Sequence, residues 1–165
     1  MPDLSLADRL QPSLLDRLTD DHPTQTKESR AERVLSVRRL RECVRRDVAW
    51  LLNTTDLNTV NDLSAYSEVA TSVVNYGIPE LTGRTIAGLE VDEISELIKQ
   101  AILRFEPRVL PHTLEVRGIK HNKEYSDRSL GFEISGQLWA QPVPQELYLR
   151  TELDLELGNI NVTER

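Results

Sequence analysis

The apolar residues of this chain change their period near Pro111, and that change restricts the possible folds more than any other feature. Before it, Ile94, Leu97, Ile98, Ala101, Ile102 and Phe105 recur three and four residues apart, the stripe of an amphipathic helix. After it, Leu147, Leu149, Thr151, Leu153, Leu155 and Leu157 alternate with Tyr148, Arg150, Glu152, Asp154 and Glu156, which predicts a strand with one buried and one wet face. Thr113–Ile119 and Leu130–Ala140 are further strand candidates. The polar tail 159–165 carries either a short last strand through Ile160 and Val162 or a segment disordered in the free protein. Helices first and antiparallel strands last define an α+β domain, with N-terminal helices packed on a small C-terminal antiparallel sheet.

Two more helices precede that switch. Val34, Val37, Leu40, Val44, Val48 and Leu51 set a long amphipathic helix over Ser29–Leu52, ended by Asn53-Thr54-Thr55, whose short polar side chains compete for backbone hydrogen bonds. Tyr66, Val69, Val73 and Tyr76 predict a helix over Ser64–Tyr76, with Gly77 at the positive φ of a helix stop and Pro79 preventing continuation. The third helix begins near Asp92 and Glu93, acids suited to a helix start, and closes at Pro107. Turns are expected at Thr82-Gly83 and Gly88. Residues 1–26 read as a flexible N-terminal docking arm containing one short helical piece, Ser13-Leu14-Leu15-Asp16-Arg17-Leu18. Residues 27–165 then form a single domain.

The net charge of −7 hides an asymmetry. Residues 27–46 hold eight basic and three acidic side chains, +5 in all, so the rest of the chain carries −12. A basic helix beside an acidic body suits docking on a surface of complementary charge, for which Arg38, Arg39 and Arg45 are the candidates; a solvated helix face is the plainer reading. Nucleic acid is not an expected partner, because the acidic body repels phosphates and no aromatic residues are interleaved with the arginines. No apolar run approaches the roughly 20 residues needed to span a bilayer. Met1–Leu10 has acids where a secretory signal has bases, and the single cysteine, Cys43, excludes an internal disulfide, so a cytoplasmic setting is expected.

Chemistry-bearing patterns are sparse. His22, His112 and His121 lack an i, i+4 partner or carboxylates at ligand spacing, so no metal and no cofactor are expected. The glycines stand singly, with no nucleophile elbow and no phosphate loop. Arginines near Cys43 could lower its pKa, but a small buried core residue is the simpler role. Glu106, between Phe105 and Pro107-Arg108, has two readings. It is a buried acid of raised pKa, or one half of an ion pair with Arg108 or with an arginine of another chain.

Four segments, Ser13–Leu18, Arg45-Arg46-Asp47-Val48-Ala49-Trp50-Leu51-Leu52-Asn53-Thr54, Ser72-Val73-Val74-Asn75-Tyr76-Gly77-Ile78-Pro79 and Phe105-Glu106-Pro107-Arg108, occur here in the order found in the TssE family, which the chain resembles over residues 13–157. These are type VI secretion baseplate subunits related to the wedge protein of contractile phage tails. The resemblance implies a non-enzymatic bacterial assembly protein, cytoplasmic and assembled at the inner face of the envelope. Its implied partners are TssF, TssG and TssK in the baseplate and TssB/TssC in the sheath, whose polymerisation it helps to start. The family's Glu-Pro-Arg motif falls on Glu106, Pro107 and Arg108, an expected protein interface. Members were once labelled lysozyme-like, so the alternative is a glycoside hydrolase acting on peptidoglycan through a carboxylate such as Glu106.

Overall fold

A computed structural model describes residues 13–19, 24, 37–81, 91–119, 129–140 and 143–164. Among these described residues four α-helices, α1 (Leu14–Leu18), α2 (Val37–Leu52), α3 (Ser67–Thr71) and α4 (Val91–Phe105), precede four strands, β1 (Glu115–Ile119), β2 (Ser129–Leu138), β3 (Gln145–Asp154) and β4 (Ile160–Glu164). The strands form one antiparallel meander in the order β1-β2-β3-β4. This is the α+β arrangement that the period switch predicts.

Leu40, Val44, Val48 and Leu51 of α2 and Ile94, Ile98 and Ile102 of α4 are buried against Phe132, Ile134, Leu147, Leu149 and Leu153 of the sheet. Burial of these side chains is the principal driving force, at about 1.5–3 kcal/mol each before conformational entropy is charged against it. Thr151 shares the inward face of β3, and its hydroxyl donates to the Phe132 carbonyl at 3.4 Å, so this buried polar group has a partner. Gly118 lets α4 lie close on β1: a Cβ there would stand 2.0 Å from Val91 Cγ1.

Three expectations need correction. Ser64–Tyr76 is not one helix. α3 stops at Thr71, Ser72 takes an extended ψ of 169°, and its hydroxyl accepts from Val74 N–H to start a separate 3-10 turn over Val73–Asn75. Thr71 and Ser72 also bond carbonyls of their own helix, the local competition that makes such residues poor helix interiors. Tyr66 and Val73, expected on a buried face, are exposed. The inward row of β3 ends earlier than the alternation suggests: β3 stops at Asp154, Gly158 turns the chain at φ 67°, and Leu157 is left exposed. Thr113 falls in a 3-10 turn over Pro111–Thr113, so β1 starts two residues later than expected.

The final strand through Ile160 and Val162 is present. Gly77 does have positive φ, 128°, and backs onto the Thr54 carbonyl, where a Cβ would sit at 2.2 Å. There Thr54, Asp56 and Ile78 exchange backbone hydrogen bonds that tie the end of α2 to the segment before Pro79. Residues 29–36 of the expected long helix, Lys27, His22, His121 and the turns at Thr82-Gly83 and Gly88 lie outside the described residues.

Candidate functional site

Phe105 ends α4, and the next four residues form a tight turn. Glu106 N–H still bonds the Ile102 carbonyl at 2.9 Å, Pro107 cannot donate, and Val109 N–H closes the turn on the Glu106 carbonyl at 3.2 Å. The turn is stitched to the end of β2: Trp139 N–H reaches the Arg108 carbonyl at 2.7 Å, and Leu110 N–H the Gln137 carbonyl at 2.8 Å. Helix stop, proline and strand pairing therefore fix the directions of Glu106 and Arg108 independently of their charges.

Those two side chains meet. Glu106, 4% exposed, accepts from Arg108 through Oε1 (backbone N–H 3.1 Å, Nε 2.7 Å) and through Oε2 (Nη2 2.5 Å). This is the two-pronged carboxylate–guanidinium fit for which arginine, not lysine, is shaped. Of the two readings of Glu106, the ion pair with Arg108 is the observed one. Arg108 Nη2 also reaches Asp47 Oδ2 of α2 at 2.5 Å. Burial works to lower the Arg108 pKa, but Glu106 and Asp47 outweigh it and hold the guanidinium above its ordinary value.

The chain of charges continues past the motif. Asp47 Oδ1 accepts from Arg46 Nε at 2.8 Å, and Arg46 Nη1 reaches Asp16 Oδ1 of α1 at 2.7 Å. Glu106, Arg108, Asp47, Arg46 and Asp16 thus form an alternating ladder from the end of α4, across α2, to α1. Burial acts against the Arg46 cation, and its two carboxylates reverse the balance and raise its pKa. Asp16 behaves in the complementary way: burial alone would raise it, while Arg46, Ser13 and Cys43 together hold it below the ordinary carboxylate value. Cys43 is buried, and burial and then Asp16 push its thiol up rather than down. Arg46 and Arg39 do pull it down, but burial and Asp16 outweigh them, and Cys43 is a core residue.

Beside the ladder lies a cleft of about 520 Å³, walled by Leu15, Trp50, Tyr76, Phe105, Pro107 and Trp139 among others. Trp50 and Trp139 are about half exposed there; Arg46 stacks on Trp50 at 4.9 Å, and Tyr76 meets Phe105 edge to face at 5.2 Å.

The three other interface candidates are not gathered at this cleft. Arg38 is exposed and pairs with Glu42 one turn along α2 at 3.0 Å, and Arg39 is also exposed. Arg45 turns inward instead, its Nη1 donating to the Val162 carbonyl of β4 at 3.2 Å. His112 is exposed, and among the described residues no group of His, Cys, Asp or Glu could hold a metal ion. Asp16, Arg46 and Asp47 were missed as site residues. The only signal for them was their presence inside the Ser13–Leu18 and Arg45–Thr54 segments.

The site is thus a proline-fixed Glu-Pro-Arg turn beside an aromatic cleft, carried on a helix-covered antiparallel meander. The chain matches the model of the baseplate wedge protein gp25 family over residues 38–143, well over half its length, and it belongs to that family. The match runs from α2 through β2 and contains Glu106–Arg108. No curated protein and no solved structure matched the chain. Membership gives a structural role in a phage-tail-like baseplate. No helix among the described residues is long and apolar enough to cross a membrane.

Proposed function

We propose that this chain is a type VI secretion baseplate subunit that connects the baseplate to the contractile sheath and helps initiate sheath polymerisation. In this reading it is non-enzymatic, works in the bacterial cytoplasm at the inner face of the envelope, has TssF, TssG and TssK as baseplate neighbours, and offers a template to TssB/TssC. The observation that carries it is the difference between the two edges of the sheet. On β4, Asn53 accepts from Ile160 N–H at 2.9 Å and donates to its carbonyl at 2.7 Å, and Arg45 takes the Val162 carbonyl. On β1, no described residue outside the sheet bonds the backbone. An edge strand with unpaired N–H and C=O groups accepts an added strand by main-chain pairing. Slow-starting polymerisation then begins where that edge points.

Glu106 and Arg108 serve this function by tying the end of α4 to Asp47 of α2, while the backbone of the same turn bonds the end of β2, the strand on which β1 is built. Pro107, exposed at the tip of the turn, is available to a baseplate neighbour. Arg38 and Arg39 are the exposed basic positions for an acidic surface on TssF or TssG.

Recovery of TssB/TssC from cytosolic extract tests the reading, with the intact chain compared against Val116→Pro and Arg117→Pro. Successive residues of a strand point their N–H groups to opposite sides, so one proline removes a bond to β2 and the other only an outward donor. Sheath recovery by the intact chain, and its loss in the proline variant that keeps native circular dichroism, is the expected result. Undiminished recovery by that folded variant would remove β1 as the template. No recovery even by the intact chain would remove the sheath-connecting role.

A further inference from the structure

α1 is attached differently from α2 and α4, which bury apolar faces in the core. Leu14, Leu15 and Leu18 of α1 are 70%, 46% and 74% exposed, so this helix does not dock by burying its leucines. It docks by its polar side. The Asp16 side chain is 6% exposed, with Oδ1 on Arg46 Nη1 at 2.7 Å and Oδ2 accepting from the Ser13 hydroxyl at 2.6 Å. Five residues are far too few for a helix to persist in water without tertiary support. With little apolar packing to help, the carboxylate is the main support.

The place where α1 is pinned matters. Leu15 and Ser13 stand in the wall of the aromatic cleft, together with Pro107 and Arg108. Arg46, which receives Asp16, also bonds Asp47, and Asp47 bonds Arg108. Removing Asp16 therefore takes away one side of the cleft and one of the two carboxylates that orient Arg46.

We propose that α1 is a releasable strap over the cleft, pinned by Asp16 on Arg46, and that its release opens the cleft beside Arg108 without unfolding the rest of the domain. This goes beyond the assembly reading and does not depend on it. The groups facing Asp16 are Arg46 and the Cys43 thiol from α2 and Ser13 from its own element. Asp47, Tyr76, Glu106 and Arg108 line the cleft beyond. Protonation of Asp16 removes the charge by which Arg46 holds α1, so acid is the expected release signal. The carboxylate form supplies the docking, which is complete above about pH 3.9, the unperturbed aspartate value, and is lost as pH falls through the lowered folded value.

Both tryptophans of the chain, Trp50 and Trp139, line this cleft, so intrinsic fluorescence reports on the strap directly. The full chain and Asp16→Asn would be compared by acrylamide quenching and by hydrogen exchange read by mass spectrometry. Asp16→Asn is expected to speed exchange of the α1 peptide about tenfold, the scale of a lost charge-assisted hydrogen bond, and to make the tryptophans more quenchable. Exchange of α2, α4 and the sheet should stay unchanged. Equal α1 exchange and equal quenching in the two proteins would overturn the proposal. Should Asp16→Asn fail to fold, the unsubstituted chain still decides: exchange of α1 ahead of α2 and α4 supports a strap, and exchange of all three together contradicts it.

Discussion

Along β4, Asn53 and Arg45 reach out from α2 to bond the outward backbone groups of Ile160 and Val162, whereas along β1 no described residue performs that service for the other edge. The two edge strands are equal in length and belong to one meander, so length and topology do not separate them. What separates them is side-chain chemistry from a distant helix. An edge is a hazard because it pairs with any strand that arrives, and a chain that must pair on one side only gains specificity by covering the other. β1 instead has its face, not its edge, held: α4 packs on it through the close approach at Gly118.

The largest effect is expected where the scaffold of both edges is fixed. Arg108→Ala leaves Glu106 buried without its partner and should cost about 3 kcal/mol in urea unfolding, with much of it recovered in Arg108→Ala/Glu106→Gln. If the double variant is no more stable than the single one, the charge left by Arg108 is not the cause. Because that substitution weakens the whole domain, loss of partner binding by Arg108→Ala alone does not locate an interface. Asn53→Ala acts on one edge. It removes two bonds to Ile160 and should cost about 1–2 kcal/mol, with faster amide exchange confined to β4 and the end of α2.

Two arginines of α2 sharpen the same contrast. Arg45→Ala should lower stability by about 1 kcal/mol, since its guanidinium bonds a backbone carbonyl, while Arg38→Ala, whose ion pair with Glu42 lies in solvent, should change it by less than about 0.5 kcal/mol. Equal losses would mean that Arg45 does not guard β4. The smallest effect is one of pH at the cleft. Burial, with Asp47 and Glu106 nearby, raises the Tyr76 phenol above its ordinary value. The unfolded chain therefore releases this proton first, and the Tyr76 contribution to stability falls as pH rises above about 10. Ultraviolet titration of intact protein against Tyr76→Phe isolates the late phenol.

The fold was legible wherever one face of one element faces one core. The α4 stripe and the alternation of β3 state their burial in the order of residues, and both elements stand where that order puts them except at the end of β3, which stops at Asp154 and leaves Leu157 exposed. The same rule misled at Ser64–Tyr76, because four correctly spaced apolar residues do not outweigh Thr71 and Ser72, whose hydroxyls bond the backbone and start a new turn. At the site, the Glu106–Arg108 pair was readable because its members are two residues apart. Asp47 is 61 residues from Arg108, and Asp16 is 30 from Arg46, and no local pattern encodes such distances. Asn53 shows the limit most plainly. It reads as a helix stop, which it is, yet it also closes an edge 107 residues away.

In the proposed function, growth starts from β1 and β4 is closed. Its most direct test is sheath nucleation by purified TssB/TssC, counted by electron microscopy, with equal amounts of intact protein, Asn53→Ala and the folded β1 proline variant. Nucleation is expected from intact protein and from Asn53→Ala, and none above background from the β1 variant. Nucleation by the β1 variant at the intact rate would contradict it.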